Sequence, residues 1–129
     1  MRLVRFCRWS VIVGTLLIWT IKWGIRPYFH FTQPTIYILG IAPNLLGSFL
    51  LPIGCYWLFR KYINLYEEFQ LRIFCALCFV LLVLNEMLQL FPVFGRTFDY
   101  NDIAASAIGL SASYVFCNKY LFSRYATFP

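Results

Sequence analysis

The sequence predicts an all-α membrane protein, a bundle of four transmembrane helices with both termini in the cytoplasm. Three observations predict it. The 129 residues are 61% hydrophobic and only 12% charged, with a mean hydropathy of +0.70, whereas soluble domains carry roughly 25% charged and 45–50% apolar residues. Apolar runs recur four times, at about 8–25, 37–59, 73–91 and 103–122, and a helix of about 17–25 such residues crosses a bilayer. The basic residues gather at the edges of alternate runs. The length allows a single domain, 1–129, and leaves no room for a second.

The first run follows a basic start, Arg2, Arg5 and Arg8. A basic stretch before a short apolar one is also the pattern of a signal peptide. No small-x-small cleavage site follows; the next residues are Thr20-Ile21-Lys22-Trp23-Gly24. A span over 8–25 is therefore expected, with Lys22 snorkelling to the interface. Arg26–Thr35, RPYFHFTQPT, has two prolines and interfacial aromatics and reads as a loop. From Ile36 to Phe59 there is no charge, enough for a second span. Pro43 and Pro52 lie inside it, so the helix is expected over 37–59 or, with Ile36–Ala42 as a lead-in, from near Pro43. Prolines free backbone carbonyls that need polar partners, and Asn44 and Ser48, four apart on one face, are placed to supply them.

Arg60–Arg72, RKYINLYEEFQLR, is the most polar segment and reads as a short amphipathic connector, with Glu67 and Glu68 as a solvated helix start. The third span, Ile73–Phe91, is stopped by Pro92 and Gly95. The fourth, from Ile103 to about Phe122, follows Asp99, Asn101 and Asp102, residue types suited to a helix N-cap. Ala105, Ser106, Gly109 and Ser113 give it a small-residue face for close packing.

With the N-terminus inside, the inner side holds eight basic residues (Arg2, Arg5, Arg8, Arg60, Lys61, Arg72, Lys119, Arg124) and the outer side three (Lys22, Arg26, Arg96). The positive-inside rule favours that orientation. It places the turn from Pro92 to Asp102 outside and fits a multi-pass protein of a bacterial inner (cytoplasmic) membrane. The net charge of +6 then serves contact with anionic lipid headgroups, and nucleic acid is not an expected partner. Cys7, Cys55, Cys75, Cys78 and Cys117 form no metal or redox framework. Cys75-x-x-Cys78 lies in an apolar run, where thiols behave as small apolar side chains. A single histidine, His30, argues against a histidine metal site or a catalytic triad. No metal and no cofactor is expected.

Acidic and amide side chains crowd into one apolar stretch, Asn85–Gly109. Ionisable residues inside a span are costly and are functional candidates by default. Glu86 and Gln89 share a helix face at i, i+3, with Glu86 roughly 7 Å below the boundary at Phe91, at 1.5 Å per residue. Asp102 and Ser106 are i, i+4 on the next helix, and a tight hairpin brings the two pairs to one depth. Arg96 in the turn is the natural counter-charge, able to hold a carboxylate or phosphate in a fork. Asp99 suits the turn or cap. Asn44 and Ser48 complete the ring if the second span packs alongside. The candidate binding set is therefore Glu86, Gln89, Arg96, Asp99, Asp102, Ser106 and Asn44. The plainer reading is that these side chains pair to lock the hairpin, as interhelical polar contacts do.

Glu86-x-x-Gln89, then Gly95-Arg96-Thr97-Phe98-Asp99, then Asn101-Asp102 and Gly109, with Asn44 and Pro52-Ile53-Gly54 earlier, resembles the VanZ-like family of small bacterial membrane proteins. Ser106 stands where the family usually has Asn. The resemblance implies a four-helix integral membrane protein of the cell envelope, of a type linked with low-level resistance to teicoplanin, a lipidated glycopeptide. On this reading the outward polar pocket recognises a wall precursor, a lipid headgroup or a lipoglycopeptide, and the partners are membrane lipids and a lipid-linked or glycopeptide ligand. The alternatives are a membrane enzyme using Glu86 as acid or base, a transporter that four spans would oblige to act as a homo-oligomer, and a scaffold whose polar residues only pack helices.

Overall fold

A computed structural model describes residues 2–30, 32–59, 61–62, 67–88, 90–91 and 99–122, which are helical apart from short connecting stretches. The first rod is α1 (Arg2–Trp19), a π-helical stretch (Thr20–Ile25) and a last turn, α2 (Arg26–Tyr28). Then come α3 (Gln33–Phe59), α4 (Glu68–Leu88) and α5 (Tyr100–Phe116), the last running on as a π-helical stretch, Cys117–Phe122. Among the described residues, three stretches are long and apolar enough to cross a membrane: Leu3–Tyr28, Gln33–Phe59 and Glu68–Leu88.

The boundaries differ from the sequence reading in ways that local chemistry explains. The first helix starts at Arg2 rather than near residue 8 and continues to Tyr28, three residues into the expected loop, of which Phe29, His30 and Thr32 remain non-helical. Pro27 sits at the start of α2. It has no N–H to give the preceding turn, and the chain widens to a π geometry there, the Arg26 N–H bonding Ile21 O. α3 also starts early, at Gln33. Pro34 is tolerated in a first turn, where the missing N–H has no intrahelical acceptor, and Thr32 closes that turn by accepting from the N–H groups of Thr35 (3.0 Å) and Ile36 (3.1 Å). The helix runs unbroken through Pro43 and Pro52, so Ile36–Ala42 is helix and not a lead-in. α4 takes its first turn from the supposed connector, beginning at Glu68, and stops at Leu88 instead of Phe91. α5 begins at Tyr100, three residues before the expected start.

The helices pack in the order α1, α3, α5, α4, each mainly against its neighbours in that series, with α3 and α5 in the most extensive contact. α3 and α5 are the two inner members of that series. α5 buries Ala105, Ser106, Gly109, Leu110 and Ser113 and exposes Ile108 and Val115 on its other side. At Gly109 a side-chain carbon would run into Ser48 Oγ and Leu45 O of α3, with the Leu45 carbonyl carbon 3.2 Å away. Only glycine permits this approach. A side-chain carbon at Gly54 would find ordinary contact with Val11 of α1, at 3.5 Å.

The hydrophobic core lies at the end of the bundle that holds the N-terminus. Leu3 and Cys7 of α1, Ile53 and Tyr56 of α3, Leu71 and Cys75 of α4, and Cys117 bury one another there, flanked by Phe49, Trp57, Phe74 and Phe116. Four of the five thiols are buried and all five are free, in keeping with their reading as small apolar side chains. Leu16, Trp19, Trp23, Ile38, Leu77, Leu81, Leu84 and Ile108 are exposed on the outside of the rods. In water so large an apolar surface marks an interaction site; on helices of this length it is the surface a bilayer covers.

Candidate functional site

The opposite end of the bundle is built differently. There α2, the first turns of α3 and the start of α5 surround a cavity of about 380 Å³, lined by Arg26, Gln33, Ile36, Tyr37, Gly40, Ile41, Asp99 and Asp102. A guanidinium and two carboxylates therefore face one space, with the Gln33 amide and the Tyr37 hydroxyl beside them. Each arrives for a local reason. The π-helical stretch before Arg26 changes the helical phase, each extra residue turning a helix by about 100°, and delivers Arg26 to the cavity side. Gln33 and Tyr37 are i, i+4, one above the other on the face of α3. Asp99 is the N-cap of α5: in extended backbone (φ −131°), its carboxylate accepts from Asn101 N at 2.9 Å and from Asn101 Nδ2 at 2.8 Å. The first turn of α5, carrying Asp102, follows directly.

Glu86 is buried on α4, 4% exposed. Its level in the bundle follows from the pairing of α4 with α5. Arg72 Nε donates to Tyr114 Oη at 3.0 Å, and Phe79 and Ala107 line one groove seven residues further along each helix. The helices run antiparallel, so the same register puts Glu86 level with Tyr100–Ile103, at the depth of Asp102. Ser106, also 4% exposed, lies one turn deeper on α5. Glu86, Asp102 and Ser106 thus lie at one end of the molecule at neighbouring depths. Asn44 lies about a turn beyond Gly40 and Ile41 on α3 and does not line the cavity. Gln89 and Arg96 lie outside the described residues. Among the described residues, the cation that lines the cavity with Asp99 and Asp102 is Arg26.

Two expectations need correction. Ser48 does not serve the carbonyls that the prolines release. Pro52 frees Ser48 O and Pro43 frees Leu39 O, four residues back in each case, whereas Ser48 Oγ donates to Asn44 O (2.8 Å) and shares that proton with Leu45 O (3.0 Å). The bond folds the hydroxyl onto its own helix, a known alternative for mid-helix serine, and makes room for α5 at Gly109. The second concerns the loop reading of Arg26–Thr35, which hid Arg26 and Gln33. The dipeptide Arg26-Pro27 was a usable signal, because proline suits the first turn of a helix and a helix there carries Arg26 with it.

Among the described residues no group of three or more His, Cys, Asp or Glu side chains is placed to hold a metal ion. The cavity's chemistry is that of charge recognition: a cation to meet an anionic group, two carboxylates to meet an ammonium, and neutral hydrogen-bonding groups between them. No protein-family model matches this chain, and neither the curated proteins nor the solved structures contain a match to it.

Proposed function

We propose that this chain is a multi-pass cell-envelope protein of the VanZ-like type, with four spans and cytoplasmic termini, in a bacterial inner membrane. At its outer mouth it binds the polar portion of a lipid-linked wall precursor, a lipid headgroup or a lipoglycopeptide. The observation that carries this reading is the cavity in which Arg26 faces Asp99 and Asp102, with the buried carboxyl of Glu86 at the same depth. Four ionisable groups, Arg26, Asp99, Asp102 and Glu86, gather at this end of the bundle, where locking the hairpin needs a single pair. The family membership rests on Glu86-x-x-Gln89, Gly95-Arg96, Asp99, Asn101-Asp102 and Gly109, and the orientation on the basic residues of the connecting stretches.

The test compares the wild type with Arg26→Ala, Glu86→Gln and Arg96→Ala in one bacterial host, measuring membrane level and teicoplanin susceptibility together. Wild type is expected to lower susceptibility, and the variants to lose that protection at normal membrane level. Full protection from both Arg26→Ala and Glu86→Gln overturns the pocket reading. Disappearance of all three variants from the membrane assigns these side chains to hairpin packing instead.

A further inference from the structure

A second depression lies on the outside of the bundle, between α4 and α5, away from the polar cavity. It has a volume of about 580 Å³ and is lined by Cys75, Ala76, Phe79, Ala107, Leu110, Ser111 and Val115, with Arg72 and Tyr114 at one end. The volume is within the range of ligand sites, about 300–1,000 Å³. From Arg72 to Phe79 the groove runs about 10 Å along the helix axis, parallel to the rods and hence to the acyl chains of a bilayer. Small side chains, Ala76, Ala107 and Ser111, form its floor and walls, while Leu77 and Ile108 stand exposed beside it.

The polar end is built across the two helices. Arg72 Nε donates to Tyr114 Oη, an Nη of Arg72 pairs with Glu68 Oε1, and Tyr114 Oη approaches the same carboxylate oxygen at 3.4 Å. Those two bonds use two of the five N–H groups of a guanidinium, and the Arg72 side chain remains 65% exposed. The mouth of the apolar groove thus presents one cation and one carboxylate, Arg72 and Glu68, tied to Tyr114 of the facing helix.

We propose that this groove is a phospholipid site for a zwitterionic lipid with a primary ammonium, of the phosphatidylethanolamine class. One acyl chain lies along Ala76, Ala107, Leu110 and Ser111, the phosphate meets Arg72, and the ammonium meets Glu68. The charges select this chemistry. A purely anionic headgroup brings its charge against the Glu68 carboxylate. A phosphocholine headgroup satisfies Arg72 but has no N–H to give Glu68. A primary ammonium has three N–H donors, as lysine has, and charge-assisted bonds are the strong ones. The site lies in the leaflet on the N-terminal side, at the opposite end of the bundle from the polar cavity. It rests on membrane insertion and not on what the cavity binds.

The test is native mass spectrometry of the full-length protein, delipidated in detergent and offered phosphatidylethanolamine, phosphatidylglycerol and phosphatidylcholine of identical acyl chains. The ethanolamine lipid is expected to be retained in preference to both others. Arg72→Ala is expected to reduce its retention by about tenfold, the factor that loss of one charge-assisted hydrogen bond brings. Glu68→Gln is expected to erase the preference over phosphatidylcholine. Ala76→Phe, which fills the groove and leaves the charged mouth intact, is expected to remove the bound lipid without changing the unfolding midpoint. Retention of phosphatidylglycerol at or above the level of phosphatidylethanolamine, indifference to Ala76→Phe, or a dimer that Ala76→Phe dissociates overturns the proposal; the last assigns the groove to a second copy of the chain.

Discussion

Gly109→Ala is the sharpest probe of how this bundle is held together. In an isolated helix the change is favourable, since alanine exceeds glycine in helix propensity by about 0.8–1.0 kcal/mol. At Gly109 the new methyl meets Ser48 Oγ and the Leu45 carbonyl of α3. The hydroxyl can rotate, but the carbonyl belongs to a helix backbone, so α3 and α5 must move apart. Overpacking of this kind costs about 1–3 kcal/mol, and the difference leaves a net loss of up to about 2 kcal/mol after the propensity gain is subtracted. Gly40→Ala and Gly47→Ala are internal controls, because nothing lies within 4 Å of a side-chain carbon at either position; both are expected to be neutral or stabilising. Equilibrium unfolding of the full-length protein in mixed micelles, by titration with a denaturing detergent, reads all three on one scale. Adding Ser48→Ala to Gly109→Ala should restore only part of the loss, since Leu45 O stays where it is. If Gly109→Ala proves as stable as Gly47→Ala, the close approach of α3 and α5 is not what fixes their spacing.

Three further outcomes are expected. Asp99→Ala, which removes the α5 cap, should lower stability by about 1 kcal/mol, while Asp99→Asn, whose amide oxygen still accepts from Asn101, should cost much less; the same titration measures both. Cys7, Cys75, Cys78 and Cys117 are buried, so a membrane-permeant maleimide should label them only after denaturation, as mass spectrometry of intact and denatured protein would show. For the orientation, a charged, impermeant maleimide added to whole cells should label His30→Cys and leave Lys61→Cys unlabelled; the reverse pattern would invert the topology and move the cavity to the cytoplasmic face.

Much of the fold was legible because membrane insertion depends on properties that add up along the chain. Apolar run length, charge depletion and basic edges mark the spans whatever the neighbours do, and Asp99 as the α5 cap is a local interaction across two residues. Boundaries were less legible. Pro27, Pro34, Pro43 and Pro52 are strong breakers in water, yet here Pro27 and Pro34 occupy first turns and the interior prolines remain helical. In an apolar environment an exposed backbone costs more than one missing hydrogen bond, so the helix continues past them.

The candidate site was half legible. Glu86, Asp102 and Ser106 stood out by sequence, since each is polar amid apolar residues, and they share one end of the bundle. Arg26, Gln33 and Tyr37 did not stand out, because their place depends on the phase of a helix altered by a π-helical stretch and on the packing of α3 against α5. The sequence by itself determined that this chain makes long apolar helices and where its polar residues fall along them. The tertiary structure alone decided which of those residues meet, because helix rotation and spacing are set by contacts such as Gly109 against Ser48 and Leu45, between residues more than sixty positions apart.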